Sequence, residues 1–417
     1  MMSRVVGTAA IYLAATVLAR AGTLLLIPLY TRRLSVDEYG DYALAQTLFA
    51  LLPTPLSLGM HAAIPRVYFE GAGDEGRRKA GSVARWLIVI TALLTSVALV
   101  GVMLLTSTGR RGIAGRWELS CVVFGAGMSC IAQLPPLYLR TSQRPLAASA
   151  FQLSDFVVSV TAGLLLVHYL DRGLRGAIEV AALAATVSGA IALVFVAVAM
   201  RGPLDRTILR RALRFSLPFV PHAAGNQLQG IADRWTMKIV GLNYALGGYA
   251  LASQLSVPVS MAIAAWNEAA SPRLGEVCRE AGMPGVARAF RAHQRSYVLV
   301  AFAVAIPLCL AIPVIRVFMG PSYFGALGLI PLICGTIVIE SFYFPSHVVM
   351  LYANKTDAIP KITVVAGVVN VGLNLALIPL YGIYGAIGAR ALSMTLRSVA
   401  MWARARKERR AALARAA

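Results

Sequence analysis

Residues Gly40 to Arg66 read GDYALAQTLFALLPTPLSLGMHAAIPR, and residues Gly247 to Arg273 read GGYALASQLSVPVSMAIAAWNEAASPR. Both ends of the match keep one spacing, Gly40 to Gly247 and Arg66 to Arg273, so the stretches align without a gap. Gly, Tyr and Ala-Leu-Ala coincide at the front, and Ala-Ala-x-Pro-Arg coincides at the back. Alanine and leucine matches arise cheaply in apolar helices. Gly, Tyr, Pro and Arg in register do not, and the pair reads as an ancient internal duplication. The chain is therefore expected to hold two related halves.

Working outward, 58% of the 417 residues are hydrophobic and only 14% charged, against about 25% charged in a soluble domain. Apolar stretches of roughly 20 residues recur from end to end, each long enough to cross a hydrocarbon core of about 30 Å. Such runs satisfy their backbone as helices, so an all-α integral membrane protein is expected. The net charge of +21 is scattered between spans, which fits cytoplasmic loops better than nucleic-acid binding. The five cysteines contain no CxxC pair, so neither metal nor disulfide chemistry is indicated, and no cofactor is expected. The N-terminal run merges into a helix carrying Arg20 and reads as an uncleaved span.

Twelve spans are expected, at about 5–30, 42–62, 86–107, 119–139, 146–169, 177–200, 217–240, 250–270, 296–318, 326–352, 359–378 and 384–402. Loop arginines and lysines favour one side roughly three to one, which places both termini in the cytoplasm. Residues 1–200 form an N-terminal six-helix lobe, 201–216 a linker, 217–402 a C-terminal six-helix lobe and 403–417 a basic tail. Six spans per half make this a parallel internal repeat, related by an axis along the membrane normal. The linker, and equally the segment 271–295, suits a basic amphipathic helix on the inner leaflet. Tyr30, Tyr39, Tyr42, Trp86, Trp117 and Trp402, near span ends, are expected in interfacial belts.

Polar groups inside spans are costly and are the functional candidates. His222, Asn226, Gln229 and Asp233 follow a 4-3-4 spacing and share one stripe of the seventh span, with Arg234 beside it. They read as cavity lining for a polar, anionic cargo, or as interhelical glue. Thr16 and Arg20 share a face of the first span. Asp155, Glu268 and Glu340 are candidates for binding a coupling ion, or for pairing with a nearby arginine. Arg390 and Arg397 share a face of the last span, as cavity groups or interface anchors. No Walker motif and no loop large enough for catalytic groups is present, so an enzyme is not expected.

The segments IPLYTRRLSVDEYGDYALAQTL (27–48), SLGMHAAIPRVYFE (57–70), AGNQLQGIADRWTMKIVG (224–241) and GGYALASQLSVPVS (247–260) resemble the polysaccharide-biosynthesis flippases that move O-antigen and related repeat units. YGIYGAIGARALSMTLR (381–397) extends the likeness more loosely. These belong to the multidrug/oligosaccharidyl-lipid/polysaccharide exporter superfamily. The resemblance implies two six-helix lobes in a V around a central cavity, in the bacterial inner membrane. It implies an undecaprenyl-diphosphate-linked oligosaccharide as cargo, flipped outward for surface polysaccharide synthesis by alternating access. Partners would be that lipid-linked oligosaccharide and membrane lipids, with the polymerase and chain-length proteins of the pathway as further candidates. Diphosphate attraction maps onto Arg20 and Arg234, with Arg66 and Arg273 near the cytoplasmic mouth. The alternative is an ion-coupled multidrug-type antiporter.

Overall fold

The protein is described here by a computed structural model covering residues 24–71, 73–107, 115–353, 355 and 358–414. All regular structure among the described residues is helical. The hydrophobic pattern is inverted relative to a soluble protein. The helix α4 (Asp74–Ser107) contains a span of mean hydropathy 2.7 that leaves Leu93, Val97, Val100 and Leu104 exposed. Large side chains this apolar face outward only where the surroundings are lipid. Among the described residues, eight helices are long and apolar enough to cross a membrane, or nine counting one bent pair.

The chain divides into two compact units, one ending at Ala224 and one beginning at Gly225. In the first, residues 24–33 form α1, followed by α2 (Val36–Leu51), a one-turn helix (Pro53–Leu56) and α3 (Ala63–Phe69). Ser35 and Glu38 close a reciprocal capping box that starts α2. Between Leu56 and Met60 the span bends by 59°. There Leu58 (φ 50°) and Gly59 (φ 66°) take left-handed conformations that the helix cannot continue through. After α4 come α5 (Arg116–Ala132), α6 (Leu134–Thr141), α7 (Pro145–Gly163, continued by a π-helical turn to Tyr169) and α8 (Gly173–Ala199). The most extensive packing is α5 on α8. A Cβ at Gly125 would come within 2.8 Å of the Ala182 backbone, and one at Gly189 within 2.9 Å of the Met128 carbonyl. Small residues let these backbones approach, which is how membrane helices pack without a hydrophobic drive.

The linker does form a helix, α9 (Arg206–Ser216), started by Asp205, which accepts from the Thr207 amide. It packs on α3 and α4 of the first unit. Glu70 holds it there: the carboxylate takes Arg66 at 3.0 Å and Arg211 at 3.5 Å, and the Arg66 guanidinium lies 4.4 Å above the Phe215 ring.

The helix α10 (Phe219–Ile239) leads into the second unit, followed by α11 (Asn243–Leu255) and α12 (Val257–Leu310). Segment 271–295 is part of α12, which breaks only at Gly282, so it is not a separate surface helix. Next come α13 (Ile312–Phe318), α14 (Ile330–Ser341), α15 (Tyr343–Tyr352) and α16 (Ala358–Ala414), the last kinked at Gly382 (φ 56°). The kink falls between the expected eleventh and twelfth spans. Each expected span from the second onward has helical counterparts, several longer than hydropathy suggested. The basic loop ends simply continue the helix, as in residues 74–85 and 403–414.

The repeat is visible in the backbone. Helices α2 and α11 begin at Val36 and Asn243, equivalent positions in the alignment of Gly40 with Gly247. The copies then diverge. Where the first has Leu58-Gly59 at its bend, the second has Ala265-Trp266 inside continuous helix.

Candidate functional site

In the first unit, Gln152, Asp155, Phe156 and Ser159 lie at i, i+3, i+4 and i+7 on α7, which puts them on one face. The facing stripe of α8 is small: Ala177, Ala181, Ala184, Ala185 and Ser188. Large side chains on one helix and alanines on the other leave a cavity of about 500 Å³. Tyr42 and Gln46 of α2 close it, together with Tyr30 of α1. Inside it Ser188 donates to Asp155 Oδ1 at 2.7 Å. The Tyr42 ring meets the Tyr30 ring edge-on, with centroids 5.1 Å apart, and Gln46 lines the cavity beside them. An adjoining cavity of about 450 Å³ shares Gln133, Pro136 and Gln152 with the first and adds His61 and Arg140. His61 donates from Nε2 to the Cys130 carbonyl at 2.8 Å.

Tyr249, the repeat partner of Tyr42, is fully buried and donates its hydroxyl to Oδ2 of Asp233. Asp233 is 5% exposed, and its Oδ1 accepts from the Arg234 amide at 2.8 Å. The Arg390 side chain lies close to Tyr249, Glu340 and Asp233. Glu340 in turn receives Arg397 at 2.7 Å, and Arg397 stacks 4.5 Å from the Tyr343 ring. Two carboxylates and two guanidiniums thus meet in the interior, which is the only way such charges are tolerated there. The cluster is extended by amides, Asn374 donating to Asn370 and Asn370 to Ser393.

These positions revise several sequence expectations. Asp233 is 5% exposed and is held in this cluster by Tyr249. Of the two readings of Glu340, the structure shows the arginine partner. Arg390 and Arg397 are interior groups of the second unit, not interface anchors. Tyr30, Tyr39 and Tyr42 are 2%, 3% and 8% exposed, so they are core residues and not an interfacial belt. Arg66 is exposed and tied to Glu70; Arg273 and Glu268 are exposed on α12. Arg234 is half-buried, with Nε lacking a hydrogen-bond partner. Thr16 and Arg20 lie outside the described residues, as do the side chains of His222, Asn226 and Gln229. Gln46, Gln133 and Ser188 were missed from sequence: single amides and hydroxyls in apolar helices carry no spacing signal until the packing brings them together.

Two ends of the first unit differ in charge. At one, Arg33 pairs with Asp171 (2.8 Å), Arg172 with Glu179 (2.6 Å) and Arg175 with Glu118 (3.1 Å). At the other, Glu70 takes two arginines, while Arg78, Arg140 and Arg144 add positive charge. Outside the membrane there, the paired arginines hold the Glu70 carboxyl below the usual glutamate range. No group of described residues has the composition of a metal site.

Comparison with known proteins places these units. The family described as polysaccharide biosynthesis protein matches residues 5–277. A Haemophilus influenzae protein of the Lsg locus is 26% identical over 280 residues, which span 65% of this chain and 66% of that relative, just under two thirds of its length. Among solved structures, a multidrug resistance MATE family transporter of the MOP superfamily, inward-facing, superposes with a TM-score of 0.77 at 14% identity, covering 97% of this chain and 98% of that one. The lipid II flippase MurJ in an inward closed conformation gives 0.74 at 12% identity, covering 94% and 86%. At these identities the likeness is one of fold.

Proposed function

The chain belongs to the polysaccharide biosynthesis protein family, and from that premise we propose that it is a flippase for an undecaprenyl-diphosphate-linked oligosaccharide. The cargo moves from the cytoplasmic to the outer face of the bacterial inner membrane during surface polysaccharide synthesis. The observation that carries this reading is the family match across both copies of the repeat in a chain with a multi-pass transporter fold.

The physical task explains the residues. A diphosphate and several sugars cross a medium where each unpaired polar group costs several kcal/mol. Arginine meets a diphosphate through paired hydrogen bonds that lysine cannot reproduce. We assign that role to Arg20 and Arg234, with Arg66 and Arg273 toward the cytoplasmic mouth. The unfilled Nε of Arg234 supports the assignment. Orientation is assigned from charge: the end where Arg33, Arg172 and Arg175 are paired with acids is taken as the outer one, and the end with excess arginine as the cytoplasmic one. Asp155 and Glu268 are the candidates for an ion that couples alternating access, and the transporter fold supports a non-enzymatic role.

A deletion strain tests the reading. Loss of surface glycan with lipid-linked repeat units trapped on the cytoplasmic side is expected. Unchanged glycan with altered sensitivity to cationic drugs would favour a multidrug-type antiporter instead.

A further inference from the structure

The cavity between α7 and α8 has a volume of about 500 Å³, inside the roughly 300–1,000 Å³ range of small-molecule sites. Its described walls hold one carboxylate, three glutamines and three serines, faced by Phe49, Phe151 and Phe156. None of the described lining residues is a lysine, arginine or histidine. A phosphate there would meet the Asp155 charge with no cation among the described wall residues to offset it. The basic side chains Arg140 and His61 line the adjoining cavity instead.

The walls keep hydrogen-bonding capacity for a ligand. Gln152 Oε1 is closed off from the cavity, so this amide can meet a ligand only from its NH2 side. Asp155 accepts from Ser188 at Oδ1, and no partner reaches Oδ2 among the described residues. Asp155 is an exposed carboxylate whose Oδ2 is open to a donor, so a ligand that brings hydroxyl hydrogens suits these walls better than one that brings only acceptors. Flat aromatic faces beside amides and a carboxylate suit a ring with C–H bonds on its faces and hydroxyls around its edge.

From these walls we propose that the cavity is a carbohydrate subsite that takes a neutral sugar ring of the cargo; this rests on the flippase reading above. In the second unit the repeat partner of the cavity's Tyr42, Tyr249, is bonded instead to the chain's own Asp233. The sugar and the diphosphate are thus recognised by different chemistry: amides, hydroxyls and rings for the one, guanidiniums for the other.

The test is a thermal-stability titration of the purified full-length protein in detergent, with three probes. These are undecaprenyl diphosphate, the lipid-linked oligosaccharide pool extracted from the deletion strain, and tetraphenylphosphonium. The sugar-bearing pool should act on the wild type at lower concentration than undecaprenyl diphosphate. Gln152→Ala and Phe156→Ala should each weaken that response roughly tenfold, the scale of one lost hydrogen bond or ring contact, while the response to undecaprenyl diphosphate stays unchanged. The melting point without ligand shows whether each variant is folded. Folded variants with a wild-type response to the sugar-bearing pool would overturn the subsite and leave the flippase reading intact. Stabilisation by tetraphenylphosphonium that Asp155→Asn abolishes would overturn it in favour of a cation site. A wild type indifferent to the sugar-bearing pool, in a strain whose glycan is unchanged by deletion, would remove both.

Discussion

Tyr249 donates its hydroxyl to the Asp233 carboxylate inside the second unit, whereas its repeat partner Tyr42 lines a cavity together with Tyr30 and Gln46. The same tyrosine, at the same point of a duplicated helix, bonds a carboxylate in one unit and borders a cavity in the other. The cause lies on the preceding helix. Continuing the alignment back places Asp233 opposite Leu26, so only the second copy brings a carboxylate to the phenol. Tyr249→Phe leaves that carboxylate short of a donor, and a loss of about 1–3 kcal/mol of stability is expected. Asp233→Ala should cost more, because Arg390 is left without its counter-charge. Melting of the detergent-solubilised variants measures both. An unaltered melting point for Asp233→Ala would show the cluster to be energetically idle.

Glu340 and Arg397 make the second buried pair. Removing one partner strands a charge, so Glu340→Gln and Arg397→Gln are each expected to lower stability by about 3–5 kcal/mol. The double variant should recover part of that loss. Transport assayed alongside separates structure from coupling. Restored folding with restored export makes Glu340 a structural counter-ion, while restored folding without export makes it part of the coupling machinery.

Arg234→Ala and Arg20→Ala are expected to abolish export with the protein still folded and inserted. Surface-glycan blots and membrane-fraction immunoblots read the two effects. Normal export in both single variants would remove the arginine role in cargo binding.

Glu70 fastens α9 to the first unit, and Arg66 with Arg211 holds its carboxyl below the ordinary glutamate value. A depressed folded value means the contribution is present above the unfolded value near 4.3 and fades as pH falls through the lower folded value. Protease accessibility of residues 201–216 should therefore rise on acidification in the wild type. In Glu70→Gln it should already be high at neutral pH and insensitive to further acid.

Gly59 sits at φ 66° in the bend, and a Cβ there would come 3.2 Å from the Ser216 carbonyl. Gly59→Val should strain the bend and push on the end of α9, lowering yield and melting point. A matched Gly388→Ala, in open space on α16, should be neutral.

Much was legible in the sequence because it depends on solvent. Chains of 20 apolar residues must become helices in lipid, whatever their neighbours do, so membrane class, span positions and the duplicated segment follow from composition and register alone. The family-bearing motifs at 27–48 and 224–241 were readable because each is one contiguous stretch of sequence. The partners of polar groups were not readable, because they are set by residues far apart in sequence. Asp233 meets Arg390, and Glu340 meets Arg397, through helices whose facing is decided by packing. The cavity of the first unit is also a property of two helices together. Gln152 and Asp155 supply the polar face, but the space exists because α8 presents alanines there. Tyr42 and Tyr249 show the limit most directly. Local sequence made them equivalent, and only the tertiary surroundings gave one a carboxylate and the other an opening, because the energy of a buried hydroxyl is set by what it faces.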